Sequence, residues 1–294
     1  MTGKSKFFAD SVETSTFSEH LAAINFKFPS VKGEGVYEVI TETFAGRVDP
    51  AFQVVQWQGK GLPFIIFHHG NNERPFDFGI TSKNTFKNIF YQKKDFEDTC
   101  LVSLRAPFHQ DTKEYLKKIQ HLTHFVSMLA VSVKLVEKLV LYAREQGFLP
   151  VVVSGISLGG WVTNLHRTHF NTADAYIPML AGASLAEVFL TSAYRTLTGN
   201  LALENPQILR ETLNFERKFS RVGDDNVFPL LAKHDQIIQY DIQKRAYGRR
   251  PIETLEKGHV TAALDSVALR HHVISNLHRT EMEDRLRRLG SLVP

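Results

Sequence analysis

Residues 148–160 read Phe-Leu-Pro-Val-Val-Val-Ser-Gly-Ile-Ser-Leu-Gly-Gly. The first half, centred on Val151, Val152 and Val153, is a short apolar run of the kind buried on both faces of a sheet. The pentad Gly155-Ile156-Ser157-Leu158-Gly159 follows at once, and helix-forming sequence starts at Leu158. That order has a mechanical reading. A serine thrust out on a strained strand-to-helix turn needs neighbours without β-carbons, and the glycines two residues either side of Ser157 provide them. Alone, such a pentad is weak, because it also occurs as a plain tight turn. Its surroundings decide.

Upstream, residues 36–45, 52–57, 62–67 and 101–104 read as strands, and a turn-rich loop, His68-His69-Gly70-Asn71-Asn72, follows the third of them. From Asp111 the period changes. Ile119, Leu122, Val126, Leu129, Val133, Val136 and Val140 step by three and four and predict one long helix, with a capping-box-like start at Asp111 and Glu114 and a left-handed Gly147 at its end. Downstream come a helix from Leu158, strands at 175–180, 227–232 and 252–255, and a C-terminal amphipathic helix from about Thr261. Strands alternating with helices predict an α/β fold: a mostly parallel sheet with helices on both faces and a crevice at the carboxyl ends of the strands. The alternation lapses before 227, so residues 183–226 are expected to be a helical lid inserted over the crevice. The expected organisation is an N-terminal extension (1–35), a core (36–182 and 227–294) and that insertion.

The chain has 294 residues, 43% apolar and 22% charged, enough for a sizeable core and against disorder or a fibre. With 35 basic and 31 acidic side chains and no long basic block, nucleic acid is not an expected partner. The single cysteine, Cys100, can close no internal disulfide and supply no cysteine-based zinc site. No signal-peptide-like apolar run opens the chain and no segment has the uninterrupted length of a membrane span, so the expected location is the cytoplasm.

The loops at the carboxyl strand ends hold the partners a serine nucleophile needs. Asp235 lies just past the strand at 227–232 and is the expected acid, whereas its rivals Asp224 and Asp225 precede that strand. His259 follows the last short strand and is the expected base. A serine hydroxyl becomes reactive when an imidazole takes its proton, and the acid holds that imidazole in the right tautomer. The backbone N–H groups of Leu158, at a helix start, and of Asn71 are the expected donors to the developing oxyanion.

With Gly155-Ile156-Ser157-Leu158-Gly159 as nucleophile elbow, His69-Gly70-Asn71 as oxyanion loop, Asp235 as acid and His259 as histidine, the chain resembles the α/β-hydrolase superfamily from about Val36 onward. The resemblance implies an eight-stranded sheet and cleavage of carboxylic esters or related acyl bonds without cofactor or metal. The loop is of the His-Gly-X type; the His-Gly-Gly-Gly run of one lipase subtype is missing, and Ser157 sets the chain apart from the dehalogenase and epoxide-hydrolase branches, which use aspartate. The expected substrate is a small-molecule acyl ester, a lipid-like one included. Acyl transfer, thioester or peptide cleavage on the same triad, or a silent hydrolase fold used for binding, are the alternatives.

Other residues carry plainer readings. His69 is expected to bond backbone, and His68, His166 and His169 lack a third ligand at metal spacing. Arg74 and Arg105 follow strand ends and could meet an anionic substrate group, surface salt bridging being the simpler fate. Leu185, Phe189, Leu190 and Tyr194 could line an acyl pocket or pack the lid down. His271 and His272 are expected to decorate the final helix, and the charged stretch 278–288 to be a solvated helix face.

Overall fold

The apolar runs at 64–68, 151–156 and 175–179 are buried because each is a central strand. In the computed structural model, which describes residues 5–82, 84–223 and 225–290, the strands are β1 (Gly35–Glu38), β2 (Thr41–Thr43), β3 (Gly46–Val48), β4 (Ala51–Gln56), β5 (Phe64–His68), β6 (Cys100–Arg105), β7 (Val151–Ile156), β8 (Ala175–Met179), β9 (Leu230–Ala232) and β10 (Glu253–Leu255). Eight of them form one sheet in the order β1-β4-β6-β5-β7-β8-β9-β10; β2 and β3 make a separate antiparallel hairpin. The pairings among β5 to β10 are parallel, while β4 is antiparallel to both β1 and β6. From β5 the chain moves to β6 on one side and later to β7 on the other. This is the switch point where the loops leaving two adjacent strands part and open a crevice.

The helices are α1 (Phe17–Ala23), α2 (Thr85–Ile89), α3 (Thr112–Lys118), α4 (Leu122–Glu145), α5 (Leu158–His169), α6 (Leu185–Leu190), α7 (Asn200–Glu204), α8 (Pro206–Leu213), α9 (Glu216–Phe219), α10 (Tyr240–Gln243), α11 (His259–Ala263) and α12 (Ser266–Gly290). Alternate residues of β5 sort onto the two faces, as a pleated strand requires. Phe64 and Ile66 join the core under α4 and α5, whereas Ile65 and Phe67 join Phe86, Phe90, Leu269 and Val273 of the α2 and α12 side. No described helix is long and apolar enough to cross a membrane.

Three expectations from the sequence are corrected. The helix expected to run unbroken from Asp111 is two helices, α3 and α4, parted at 119–121. The N-terminal segment causes the break: Phe8 N–H donates to Ile119 O at 2.9 Å, Asp10 N–H to Gln120 O at 3.0 Å, and Leu122 N–H to Ser11 O at 2.9 Å. Backbone groups that would close helical turns are thus bonded to another strand of chain. The final helix is likewise two, α11 and α12, because the Asp265 carboxylate accepts Ala268 N–H and starts a new helix. The stretch 36–45 is β1 followed by the β2–β3 hairpin, turned at Gly46 with φ 80°.

The segment 183–226 carries α6 to α9. Its helices are tied by the Arg210–Glu187 ion pair at 2.7 Å and by Asn214, whose side-chain oxygen accepts Ala186 N–H. Phe7 and Phe8 of the N-terminal segment are buried, and Phe7 is bonded on both sides of its peptide unit, its N–H to Leu197 O and its O to Gly199 N–H, each at 2.8 Å.

Candidate active site

Ser157 sits between the end of β7 and the start of α5 with φ 52° and ψ −111°, a strained conformation for a residue with a β-carbon. Two hydrogen bonds force it there: its N–H donates to Met179 O of β8 at 2.9 Å, and its O accepts Trp161 N–H at 3.0 Å. The flanking glycines are required by contact. A β-carbon on Gly155 would lie 2.4 Å from the Gly159 backbone, and one on Gly159 would lie 2.0 Å from His68 O. The elbow is therefore pressed against β5, whose His68 is paired with Gly155.

That register brings the loop after β5 alongside Ser157. Asn71 and Leu158 line, with Ser157, a narrow cavity of about 40 Å³. Among the described residues neither backbone N–H of Asn71 nor of Leu158 donates to a protein acceptor. Both donors are available to an anionic oxygen formed next to Ser157.

Asp235 and His259 meet through the pairing of β9 with β10, which sets His234 N–H on Lys257 O at 3.0 Å. Asp235 Oδ2 accepts His259 Nδ1–H at 2.6 Å, and Asp235 Oδ1 accepts the N–H groups of Ile237 and Ile238, each at 2.8 Å. The carboxylate is fully buried and His259 largely so. An ionised carboxylate only accepts, so the imidazole proton sits on Nδ1 and Nε2 keeps its lone pair. Ile237 and Ile238, held by the acid, themselves line the cavity of Ser157. Among the described residues no hydrogen bond joins Ser157 Oγ to His259, so the structure brings the acid and histidine together but does not close the link to the serine.

Of the rival acids, Asp225 is exposed and 3.4 Å from Arg250, and Asp224 lies outside the described residues. Arg105 pairs with Glu38 at 2.7 Å, and a polar cleft away from Ser157 is lined by Arg74 and Arg105. His166 uses both ring nitrogens, on Tyr176 OH at 3.1 Å and Glu137 at 3.0 Å. His272 does not decorate the helix surface as expected. It is buried, with Glu253 at 2.6 Å and Phe228 O at 3.0 Å.

Beneath the Asn71 loop lie residues that no sequence pattern groups. His69 accepts Ala106 N–H on Nε2 at 3.1 Å, so its proton is on Nδ1, which donates to Gly70 O at 2.6 Å. Its ring lies against His68 and His109, with centroids 4.8 and 4.7 Å away. All three are buried, and among the described residues none pairs with a carboxylate. Burial, helped for His69 by the neighbouring rings, holds His68 at about 3, His109 at about 4 and His69 well below the ordinary value. Because the folded values lie below the unfolded one of 6.5, the unfolded chain takes up protons first. Stability from these rings is complete above that value and is lost as the pH falls below it. His68 and His109 each lose about 2 kcal/mol between about pH 6.5 and pH 5, and His69 acts in the same direction. Denaturant titrations at about pH 7 and pH 5 are expected to show a much lower midpoint in acid, and equal midpoints would contradict this.

The cavity wall draws on distant parts of the chain. Phe7, Tyr115, Phe125 and Trp161 line it together with Leu185, Phe189 and Tyr194 of the 183–226 region. Leu185, Phe189 and Tyr194 therefore do face Ser157, whereas nothing local in the sequence marks Phe7, Tyr115 and Trp161. Only the tertiary fold sets them beside the serine.

The family described as alpha/beta hydrolase domain containing 18 matches residues 100–244, a stretch that takes in the elbow and Asp235 but ends before His259. Comparison with curated protein sequences finds no relative. Solved structures share the fold at low identity. An acetyl xylan esterase 1 from Thermoanaerobacterium sp. superposes with a TM-score of 0.54 at 12% identity, covering 88% of this chain and 96% of that one. A cold-adapted esterase from an Arctic intertidal metagenomic library gives 0.55 at 12% identity, covering 87% and 99%. The Pyrococcus horikoshii acylaminoacyl peptidase gives 0.51 at 13% identity, covering 87% of this chain and 42% of that one. The sheet order with its switch at β5, the strained serine between β7 and α5 and these superpositions converge on the α/β-hydrolase fold, and the match over residues 100–244 is to a family of that fold.

Proposed function

We propose that the protein is a serine hydrolase that cleaves a carboxylic ester of a short acyl group through an acyl-enzyme. Ser157 is the nucleophile, His259 the general base and then acid, Asp235 the group that orients and stabilises the imidazolium, and the N–H groups of Leu158 and Asn71 the oxyanion donors. The observation that carries this reading is the 2.6 Å bond from His259 Nδ1 to a buried carboxylate, which leaves Nε2 basic. A histidine oriented in this way is of use to a nucleophile and of little use to packing.

In the mechanism His259 Nε2 takes the Ser157 hydroxyl proton as Oγ attacks the ester carbonyl. The two N–H donors hold the oxyanion, and its collapse passes the proton from His259 to the departing alkoxide. Water enters by the same steps in reverse order of partners and frees the acid. In the free protein Oγ and Nε2 are not yet bonded, and such contacts commonly tighten only with substrate in place. The 183–226 region serves as the lid, since Leu185, Val188, Phe189 and Tyr194 wall the acyl cavity. That cavity favours a short acyl group over a lipid-like chain. The lone, buried Cys100 accords with action in the reducing cytoplasm.

A fluorophosphonate probe tests the reading directly. Covalent labelling of the wild-type protein is expected, with none of a folded Ser157→Ala variant. A folded wild-type protein that takes no label is instead a silent binding module. Among p-nitrophenyl esters, the rate is expected to peak at acyl groups of about two to four carbons, as the cavity volume implies.

A further inference from the structure

The segments that enter β9 and β10 at their amino ends enclose, with α12, a second cleft of about 420 Å³. Asp235 and His259 follow the carboxyl ends of the same two parallel strands, so this cleft lies at the opposite edge of the sheet. Among the described residues it is lined by three arginines, Arg249, Arg250 and Arg279, and one acid, Asp225. Their pairing is partial. Arg250 lies 3.4 Å from Asp225 and donates to Val222 O at 3.1 Å. Arg279 bonds Glu283 at 3.0 Å through Nε, and its guanidinium lies 5.0 Å from the centre of the Phe228 ring. The exposed Arg249 side chain makes no hydrogen bond or ion pair among the described residues. The walls are tied together beneath these side chains: Glu253 N–H donates to Pro229 O at 3.0 Å, and His272 Nε2–H to Phe228 O at 3.0 Å. Fixed walls reduce the ordering that a ligand has to impose.

Three cations facing one carboxylate leave the lining with two positive charges, and the balance is still positive when Glu283, which stands outside the cleft on Arg279, is included. Like charges gathered around one hollow repel, and an anion between them relieves this. Guanidinium forks match the oxygens of carboxylate and phosphate. A carboxylate offers two oxygens and one charge. A phosphate monoester offers three terminal oxygens and about two charges near neutral pH, enough to meet all three forks. The cleft is also much larger than one phosphoryl group, since a water occupies about 30 Å³ of liquid volume. Phe228 and Pro251 give the remaining space an apolar floor.

We propose that this cleft binds a phosphate monoester, whose phosphoryl group is received by Arg249, Arg250 and Arg279 and whose organic body rests against Phe228 and Pro251. Such a group is carried by soluble organic phosphates and by the phosphatidic acid headgroup, and the test separates the two. The site stands apart from Ser157 and does not depend on the reading of that serine.

Phenyl phosphate and benzoate, which share a ring and differ in the anion, are titrated calorimetrically into the full chain at about pH 7.5 and constant ionic strength, where the monoester is largely dianionic and screening is fixed. Phenyl phosphate is expected to bind at a single site, about tenfold or more tighter than benzoate. The double variant Arg249→Ser, Arg279→Gln is expected to weaken that binding by about tenfold or more. Its melting temperature is expected to stay nearly unchanged, because the exposed Arg279–Glu283 pair contributes little. Arg250 is left in place because it also holds Val222 O. Cosedimentation with phosphatidylcholine vesicles, with and without phosphatidic acid, gives the second arm. Capture that needs phosphatidic acid and fails in the double variant, without binding of phenyl phosphate, keeps the site and assigns it to a lipid headgroup. The proposal is wrong if neither probe binds, if benzoate binds as tightly as phenyl phosphate, or if the double variant binds like the wild-type protein.

Discussion

Ser157→Ala is expected to lower kcat by about 10⁶, as loss of the nucleophile does in other triads. The fold is not expected to suffer. Among the described residues the Ser157 hydroxyl makes no hydrogen bond, and the elbow is held by the Ser157 N–H and O, which alanine keeps. The strain at φ 52° is unchanged as well, because alanine retains the β-carbon. The check is a pair of measurements on one sample: turnover of a short p-nitrophenyl ester, and the thermal midpoint. A folded variant with most of its activity would reject Ser157 as nucleophile.

Asp235→Asn is expected to cost about 10⁴ in kcat, for a different reason. The asparagine oxygen can still accept the N–H groups of Ile237 and Ile238, so the loop keeps its shape. Its amide N–H would then face His259 Nδ1–H, two donors in opposition. The imidazole escapes by moving its proton to Nε2, the atom that must accept from Ser157. Asp235→Ala separates the two roles, since it also strands both isoleucine N–H groups and is expected to lower the midpoint, whereas the asparagine leaves it nearly unchanged. Wild-type rates in the asparagine protein would remove Asp235 from the mechanism.

The parts of the fold and site that are legible in the sequence are those where a short stretch fixes its own geometry. Val151 to Val153 can only be buried, and Gly155 and Gly159 are demanded by contacts with backbone, so the elbow is readable residue by residue. Asp235 can be chosen over Asp225 because the strand-end rule depends on chain direction alone. The helix expected to run unbroken after Asp111 is interrupted because Phe8, Asp10 and Ser11 take its backbone groups at 119–122, and no periodicity within the helix carries that information. Tyr115 is invisible for the same reason. It has the spacing of any buried helix residue, and only the tertiary fold places it in the wall beside Ser157. His272 looks like a surface residue in sequence because its partners, Glu253 and Phe228, lie on the other side of a turn in the chain.

Phe7 lines the cavity at one end of the chain and His259 is bonded to Asp235 near the other. The serine elbow is complete in the chain before β8, whereas Asp235 and His259 follow it. A fragment that stops at β8 holds the elbow but lacks both the acid and the histidine proposed to activate Ser157. Under the proposed mechanism such a fragment is expected to leave acyl esters intact, and only addition of the later strands supplies the base.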